Sequence, residues 1–230
     1  MHLDFAQVLT GEPRDWLLAG WLLSLKLTLL TWLLAVPIAT CVALCRLCPV
    51  GPLRASGATF VEVIRNIPLL VHLLFWYFAM PELLPETARS WLNAHDAEVV
   101  CALIGLTLYT ASFMAEDIRS GIRAVPGTQL EAARALGLGF LSSMRLVVLP
   151  QAFRIIVPPL ISQTLSLWKN TSIATVIGTA ELMYQAQRVE TASFRGIETF
   201  GVATVAYLTV SLAITACGTW FQHRFPARTL

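Results

Sequence analysis

Four consecutive polar residues interrupt a long apolar stretch in the C-terminal half of the chain: Lys169, Asn170, Thr171 and Ser172. An ionisable group within a lipid bilayer is costly and usually faces a water-filled cavity or a partner charge. An ammonium with neighbouring amide and hydroxyl groups could attract the carboxylate of a small polar solute and line its path. In the alternative interpretation Lys169 is structural and pairs with a carboxylate such as Glu62. The sequence leaves both open.

Further charged groups lie within or at the ends of apolar stretches. Glu62 and Arg65 are three residues apart, which places both on one face of a helix. They could pair with each other or shape an inner gate. Glu116 and Asp117 lie near the end of another apolar stretch, close to Arg119 and Arg123, and are interpreted as a solvated helix end, with a role in lining a gate as the alternative. None of these groups has a spacing that indicates covalent catalysis.

The residues of catalytic, metal and nucleotide sites do not form recognisable patterns. There is no phosphate-binding loop of the Gly-x-x-x-x-Gly-Lys-Ser/Thr type and no acidic metal cluster. Cys45 and Cys48 have the spacing of a redox or zinc pair, but no second pair or nearby His accompanies them. A net charge of +2 without a basic run argues against nucleic-acid binding. We predict a non-catalytic protein with no cofactor or metal of its own.

The composition indicates which solvent surrounds these polar groups. Apolar residues make up 56% of the chain and charged residues 13%, against about 25% charged residues in a soluble domain. The mean hydropathy is +0.67. The first residues lack the basic segment of a removable signal peptide, so the first apolar stretch is expected to remain as a membrane span. The chain is predicted to be an integral membrane protein.

Five apolar stretches are long enough to cross a bilayer as helices, since a hydrocarbon core of about 30 Å needs about 20 helical residues. Backbone polar groups must be satisfied internally in lipid, so we predict an all-α membrane fold. One domain should cover residues 1–230. Residues 179–197 are polar and are predicted to be an external connection. The predicted spans are residues 16–47, 56–80, 97–122, 158–178 and 198–221.

The orientation of these spans follows from the basic residues, which favour the cytoplasmic side. Five spans place the termini on opposite sides of the membrane. We therefore expect a periplasmic N-terminus, a cytoplasmic C-terminus and a cytoplasmic loop at residues 123–152. The predicted outer side carries Arg14, Arg89, Arg188 and Arg195, and the predicted inner side carries the larger group of Arg46, Arg54, Arg65, Arg119, Arg123, Arg134, Arg145, Arg154, Arg224 and Arg228.

The loop at residues 123–152 has the pattern of two short helices. Thr128 and Glu131 have the spacing of a capping box, which predicts a helix beginning there. Gly137 and Gly139 are expected to end it and to allow a sharp turn. A second helix is predicted from about Phe140 to Leu149, ending at Pro150. Such a hairpin could insert into a groove of a partner protein or lie on the lipid surface.

The same loop resembles the EAA loop of ABC-type import permeases. Glu131, Ala132 and Ala133, then Gly137, then the pair Leu149-Pro150 follow the spacing of that family. The resemblance implies the fold of a type I importer permease. It also implies that the loop carries coupling helices that dock on an ATP-hydrolysing subunit. The implied docking residues are Glu131, Ala132, Ala133 and Gly137.

The resemblance extends to the polar amino-acid branch of these permeases. Arg65, Asn66 and Pro68 resemble its Arg-Asn-Thr-Pro signature, with Ile67 in the place of the Thr. The segment from Lys169 to Ser172 matches its Lys-x-Thr-Ser stretch. Residues 76–86 resemble glutamate/aspartate permeases more narrowly. The residues implied on the translocation path are Glu62, Arg65, Asn66, Lys169, Asn170, Thr171 and Ser172.

The resemblance also implies location and partners. The chain would lie in a bacterial inner membrane, in contact with lipid and with a second permease chain, identical or related. Two ATP-binding subunits, which carry ATP and Mg, would dock from the cytoplasm. A periplasmic solute-binding protein would deliver the substrate, which is expected to be glutamate or aspartate. The alternatives are another polar amino acid (Arg, His, Gln or cystine), or a scaffold or channel unrelated to ABC transporters.

Overall fold

The fold consists of helices joined by short connections. The computed structural model describes residues 3–226, and no strand occurs within that range. In chain order the helices are α1 (Ala6–Leu9), α2 (Gly11–Leu47), α3 (Gly51–Arg65), α4 (Leu69–Leu83), α5 (Glu86–Asn93), α6 (Ala97–Arg123), α7 (Gly127–Ala135), α8 (Phe140–Ile177), α9 (Leu182–Ser193) and α10 (Gly196–Arg224). Three of these helices, α2, α6 and α10, coincide with predicted spans to within a few residues.

The second predicted span, residues 56–80, is wrong as one continuous helix. In its place α3 and α4 meet at an angle of 103°. Proline disfavours helical geometry in the preceding residue, so Ile67 and Pro68 break the helix. The side-chain amide of Asn66 donates to the carbonyl of Glu62 at 2.7 Å and closes the last turn of α3. Four helices are long and apolar enough to cross a membrane, and the bent pair α3–α4 makes up to five.

The fourth span begins earlier than predicted. Instead of starting near Pro158 and Pro159, α8 extends from Phe140 through both prolines. A π-helical turn at Met144–Val148 precedes Pro150, which lies in the first turn of the next α-helical segment. Pro150 therefore does not end the helix, because an irregular turn tolerates a missing N–H better than a regular helix does. The same helix thus leads from the hairpin into the membrane.

The central contact of the fold is between α2 and α6. Alanines at Ala35, Ala39 and Ala43 are fully buried on one face of α2. They pack in one cluster with Ala111 and Ala115 of α6. Small residues let helix backbones approach closely, which is a common way to associate helices in lipid, where burial of apolar surface gains little. This contact positions the α6 face that lines the cavities described below.

Residues 179–197 are more than the external connection that was predicted. Helix α9 packs along the first half of α2 and buries Leu182, Ala186 and Val189 completely. These positions have the i, i+4, i+7 spacing of a buried helix face. The polar residues between them make this spacing hard to recognise in the sequence. The contact reaches Ser24, about 20 Å along α2 from its first residue at 1.5 Å per residue. Helix α9 therefore belongs to the packed core of the fold, beside the part of α2 that precedes Ser24.

Candidate functional site

A polar cavity of about 240 Å³ lies between α6 and α8, and we name it the middle cavity. The side-chain amide of Gln163 in its wall donates to Asp117 Oδ2 at 3.0 Å, which fixes the amide in place. The remaining polar lining consists of neutral hydroxyl and amide groups, which can hydrogen-bond a small polar solute. The cavity is lined by Tyr109, Thr110, Phe113, Gln163, Ser166, Leu167 and Asn170.

A second cavity of about 420 Å³ lies between α2, α3 and α6, and we name it the inner cavity. Phe113 lines both cavities. The guanidinium carbon of Arg65 lies 4.7 Å from the centre of the Phe113 ring, a cation–π distance. The inner cavity is lined by Arg46, Val61, Glu62, Arg65, Asn66, Phe113 and Glu116.

Glu116 joins two helices at the inner cavity. Its carboxylate accepts hydrogen bonds from Arg46 of α2 and Arg119 of α6. The side chains of Arg46 and Glu116 are 15% and 25% exposed, so this network is screened less than a surface ion pair. The prediction of a solvated helix end at Glu116 and Asp117 is wrong. Arg46 was missed as a partner because it lies on a different helix.

The predicted pair of Glu62 and Arg65 is not formed among residues 3–226. Both side chains line the inner cavity, as does Asn66, but the ion pairs of that range do not include Glu62 with Arg65. Arg65 lies over Phe113 instead. The structure therefore brings all three predicted residues to one cavity and leaves the charges of Glu62 and Arg65 without an ion-pair partner among residues 3–226.

The polar segment at the end of α8 separates into different environments. Asn170 lines the middle cavity, whereas Lys169 is exposed and outside it. Thr171 is fully buried, and the Ser172 hydroxyl donates to the carbonyl of Lys169 at 2.7 Å. The structural pair of Lys169 with Glu62 does not occur within the described range. The α-helix changes to a 3₁₀ helix at Thr171, within the segment where an interruption was predicted, and the helix continues to Ile177.

Sequence reasoning missed a buried carboxylate at the start of α9. Glu181 is fully buried and accepts hydrogen bonds from the Ser24 hydroxyl at 3.2 Å and from the Tyr207 hydroxyl at 2.8 Å. The backbone N–H of Tyr184 also donates to it, at 2.9 Å. The arrangement ties α2, α9 and α10 together at one point. One sequence signal could have identified Glu181: it is an acidic residue directly before the regularly spaced apolar residues of α9, which is the position of a helix cap.

The hairpin of α7 and the first turns of α8 has the predicted bend. Gly137 has φ of +82°, a conformation that favours glycine, and ends α7. The N–H of Leu138 bonds to the carbonyl of Ala133, and the N–H of Gly137 bonds to that of Arg134, which together form a Schellman motif. The predicted capping box is wrong, because Pro126 occupies the N-cap position and no side chain caps the helix. Gly139 adopts an ordinary extended conformation.

The hairpin presents a mixed surface to its surroundings. Glu131 and Ala132 are exposed, whereas Ala133 is buried within the hairpin. Apolar side chains at the bend are also uncovered in the single chain. Exposed apolar surface of this kind is typical of an interaction site. At the bend, Leu136 is 83% exposed, Leu141 79% and Phe140 59%.

The model of one protein family matches residues 18–230 of this chain. That family is described as the binding-protein-dependent transport system inner membrane component. The chain belongs to this family. It is a multi-pass inner-membrane permease subunit of an ABC importer, and ATP hydrolysis takes place on separate ATP-binding subunits. A solute-binding protein is the other component that this family implies.

Similar proteins place the permease in the amino-acid branch of these importers. It is 34% identical to the glutamate/aspartate import permease protein GltJ of Escherichia coli (strain K12) over 213 residues, which cover 91% of this chain and 87% of GltJ. It is 36% identical to the probable glutamine permease protein GlnM of Bacillus subtilis (strain 168) over 183 residues, 80% of this chain and 81% of GlnM. These similarities confirm the predicted family and the non-catalytic role.

Solved structures confirm the predicted fold class. A chain from the crystal structure of an amino acid ABC transporter with histidines has a TM-score of 0.85 and 29% identity, covering 97% of this permease and 100% of that chain. A chain of the MetNI methionine ABC transporter has a TM-score of 0.72 and 18% identity, covering 94% and 99%. The second similarity concerns the fold alone.

Proposed function

We propose that this permease forms one half of the membrane path of an importer for glutamate and aspartate. The observation that carries this proposal is the adjacent placement of the two cavities along one face of α6. Asn170 and Gln163 offer amide groups in the middle cavity, and Arg65 and Arg46 lie in the inner cavity beyond Phe113. An amino acid that leaves the middle cavity would meet guanidinium groups, which bind carboxylates well. The 34% identity to GltJ supports the same substrate class.

The other half of the path would come from a second permease chain, identical or related. Lys169 supports this proposal because it is a charged side chain, exposed in the single chain, near the end of a membrane helix. An exposed ammonium facing lipid tails would be costly. A second chain facing α8 would give Lys169 a water-filled path in place of lipid. Asn170 and Ser172 would follow it along that path, whereas Thr171 is fully buried and would support the segment from behind.

The hairpin would dock on the ATP-binding subunits, one on each permease chain. Glu131, Ala132 and Gly137 are exposed there, and Ala133 sets the close packing within the hairpin. The uncovered apolar side chains at the bend would fill a groove of the ATP-binding subunit. ATP and Mg would be bound by those two subunits. Closure of the ATP-binding pair would move the hairpins and open the path outward, and hydrolysis would reset it.

The solute-binding protein would contact the opposite side of the membrane. The arginine distribution supports a periplasmic N-terminus and a cytoplasmic C-terminus. Helix α5 and the connection between α9 and α10 would then face the periplasm. Single cysteines placed at residues 12 and 223 would test this orientation with an impermeant thiol reagent in a permease whose own cysteines have been replaced. Labelling of the first position alone in intact cells is expected, and labelling of the second alone would contradict the orientation.

The substrate is tested by uptake of labelled glutamate into cells that contain the permease, its ATP-binding subunit and its binding protein. Unlabelled Asp, Gln, Arg, His and cystine compete in turn. We expect saturable uptake that requires the ATP-binding subunit and is blocked mainly by Asp. Saturable uptake of another amino acid would retain the importer and reject this substrate. Uptake without any ATP-binding subunit would reject the importer and favour a channel.

Glutamine is the second candidate substrate, and a separate observation favours it. The middle cavity has no charged residue in its lining, and its hydroxyl and amide groups suit a neutral amide side chain. The similarity to GlnM is comparable with that to GltJ. Replacing Arg65 with Gln distinguishes the two candidates. Glutamate uptake should fall by about tenfold if a charge-assisted bond of about 1.5 kcal/mol is lost, whereas glutamine uptake should change little.

A further inference from the structure

A third cavity, of about 390 Å³, lies where α2 and α6 end and α3 begins, and we name it the arginine pocket. It lies at the same membrane surface as the hairpin, because α6 ends at Arg123 and α7 begins at Gly127. Three different helices contribute guanidinium groups to it. The pocket is lined by Arg46, Gly51, Arg54, Ala55, Ala58, Arg119 and Arg123.

The positive charge of this pocket exceeds the negative charge near it. Glu116 accepts from Arg46 and Arg119 and is the one carboxylate paired with the lining arginines among residues 3–226. Arg54 and Arg123 have no ion pair and no side-chain hydrogen bond within that described range. Asp117 bonds to Gln163 on α8, and Glu62 lines the inner cavity. The pocket therefore has an excess of guanidinium groups and room for an anion.

The position of Arg54 has no structural reason within the single chain. Arg54 lies in the first turn of α3, where the helix dipole already concentrates positive charge, so a cation there is unfavourable. The first turn of α3 contains no acidic residue and no side-chain cap. Arg123, in the last turn of α6, does favour its own helix end. The combination of Arg54 with an uncapped helix N-terminus at Gly51 suits a bound anion.

The surroundings of the pocket indicate which anion would occupy it. Val50 and Leu53, beside Arg54, are 48% and 47% exposed and form an apolar border at the membrane surface. Basic pockets between membrane helices at this level bind the headgroups of anionic lipids. We propose that the arginine pocket holds the phosphate of an anionic phospholipid such as phosphatidylglycerol, with Val50 and Leu53 against its acyl chains.

A transported amino acid is the less suitable occupant. The inner cavity, on the proposed path, has two arginines, and both already have a partner: Arg46 pairs with Glu116 and Arg65 lies over Phe113. The arginine pocket has four arginines, and Arg54 and Arg123 have no ion pair among residues 3–226, so it would hold an anion more strongly than a transport path, which must release its substrate. A resident lipid is consistent with retention. It would tie the start of α3 to the end of α6, immediately before the hairpin, and would thereby make the permease sensitive to the lipid composition of its membrane.

The proposal is tested on the permease purified with its ATP-binding subunits. The complex is delipidated in detergent and titrated with phosphatidylglycerol or phosphatidylcholine, and bound lipid is counted by native mass spectrometry. The double variant Arg54→Gln, Arg123→Gln should bind phosphatidylglycerol roughly 30-fold more weakly, from about 1 kcal/mol per basic residue at a membrane surface. The matched control Arg154→Gln, Arg224→Gln removes two exposed arginines of the same surface outside the pocket and should bind like the wild type.

Several outcomes would overturn this proposal. Equal binding by the two double variants would mean that the attraction is a general property of the surface. Equal binding of phosphatidylcholine and phosphatidylglycerol would exclude a role for the negative charge. Displacement of the lipid by millimolar inorganic phosphate would assign the pocket to a soluble anion. Loss of lipid together with loss of the ATP-binding subunits would point to a docking surface instead. The proposal is supported if phosphatidylglycerol binds more weakly to the Arg54→Gln, Arg123→Gln variant and binds to the control variant as it does to the wild type.

Discussion

Replacement of Glu116 with Gln tests whether the inner cavity depends on its ion-pair network. The Glu116 carboxylate accepts from Arg46 and Arg119, and the amide of a Gln offers one oxygen in place of two. One guanidinium then faces an N–H₂ group and loses its bond to a charged acceptor, whereas the remaining bond keeps its charged donor and loses only its charged acceptor. Hydrogen bonds to charged groups contribute about 1.5 to 3 kcal/mol, against about 0.5 to 1.5 for neutral ones. With the side chain 25% exposed, we expect a loss of about 2 to 3 kcal/mol in stability.

The assay is thermal inactivation of the purified permease complex in detergent. A loss of this size should lower the midpoint by about 4 to 12 °C, at about 2 to 4 °C per kcal/mol for a chain of this length. Glu62→Gln is the matched control, because Glu62 lines the same cavity, is exposed and has no ion pair among the described residues. Its midpoint should change by no more than about 2 °C, since surface substitutions stay within about 0.5 kcal/mol.

A double-mutant cycle then isolates the contact between the helices. Adding Arg46→Gln to Glu116→Gln should cost less than the sum of the two single changes, because both remove the same bond. Additive effects, or a Glu116→Gln midpoint as close to the wild type as that of Glu62→Gln, would refute the reasoning. In that case the carboxylate would be solvated, as the sequence alone had indicated.

Three further changes test other parts of the permease. Gly20→Ala should lower the stability of the permease by about 1 to 3 kcal/mol, because a Cβ there would lie 2.9 Å from the Glu181 carbonyl oxygen. Gly201→Ala is the control, since a Cβ there would meet only Phe5, at 3.9 Å. It should leave the midpoint of thermal inactivation unchanged or raised. Gly137 has a φ of +82°, and an alanine in this left-handed conformation costs about 1 to 2 kcal/mol. Gly137→Ala should therefore reduce the ATP hydrolysis that the binding protein stimulates by about tenfold. Unchanged stimulation would contradict a docking role of the hairpin. Asn170→Leu should lower uptake by about tenfold through the loss of a hydrogen bond of about 1.4 kcal/mol, with membrane levels of the chain unchanged; unaltered uptake would remove Asn170 from the path.

The ends of α2, α6 and α10 could be predicted from the sequence, because hydropathy changes sharply there. The bend between α3 and α4 was not predicted, because apolar residues before Arg65 and after Pro68 make the whole segment similar to one continuous span. The start of α8 was placed too late for a related reason. Pro158 has the pattern of a helix beginning, but the structure accommodates it inside a helix that starts at Phe140. Hydropathy shows how much of the chain is apolar, but it does not show where a helix bends or where it begins.

The candidate site was predictable in some of its members and hidden in its contacts. Asn170 and Arg65 were identified by type and position, because polar groups in apolar stretches are rare. The partner of Glu116 was not, since Arg46 is seventy residues away along the chain and on another helix. Spacing predicts neighbours within one helix, whereas contacts between helices depend on packing that one sequence does not encode locally. Glu181 was missed for the same reason, since its partners come from α2 and α10.

Helix α6 connects these features into one mechanical unit. Its face carries Phe113 between the two cavities, then Glu116 with its bond to α2, then Arg119 and Arg123 at the arginine pocket. Gly127 begins the hairpin only a few residues later. Because these groups lie on one rigid element, we infer that a shift of the hairpin would displace the arginine pocket, Glu116 and Phe113 together. We therefore expect changes at Glu116 to alter the coupling of ATP hydrolysis to uptake more than they alter substrate affinity.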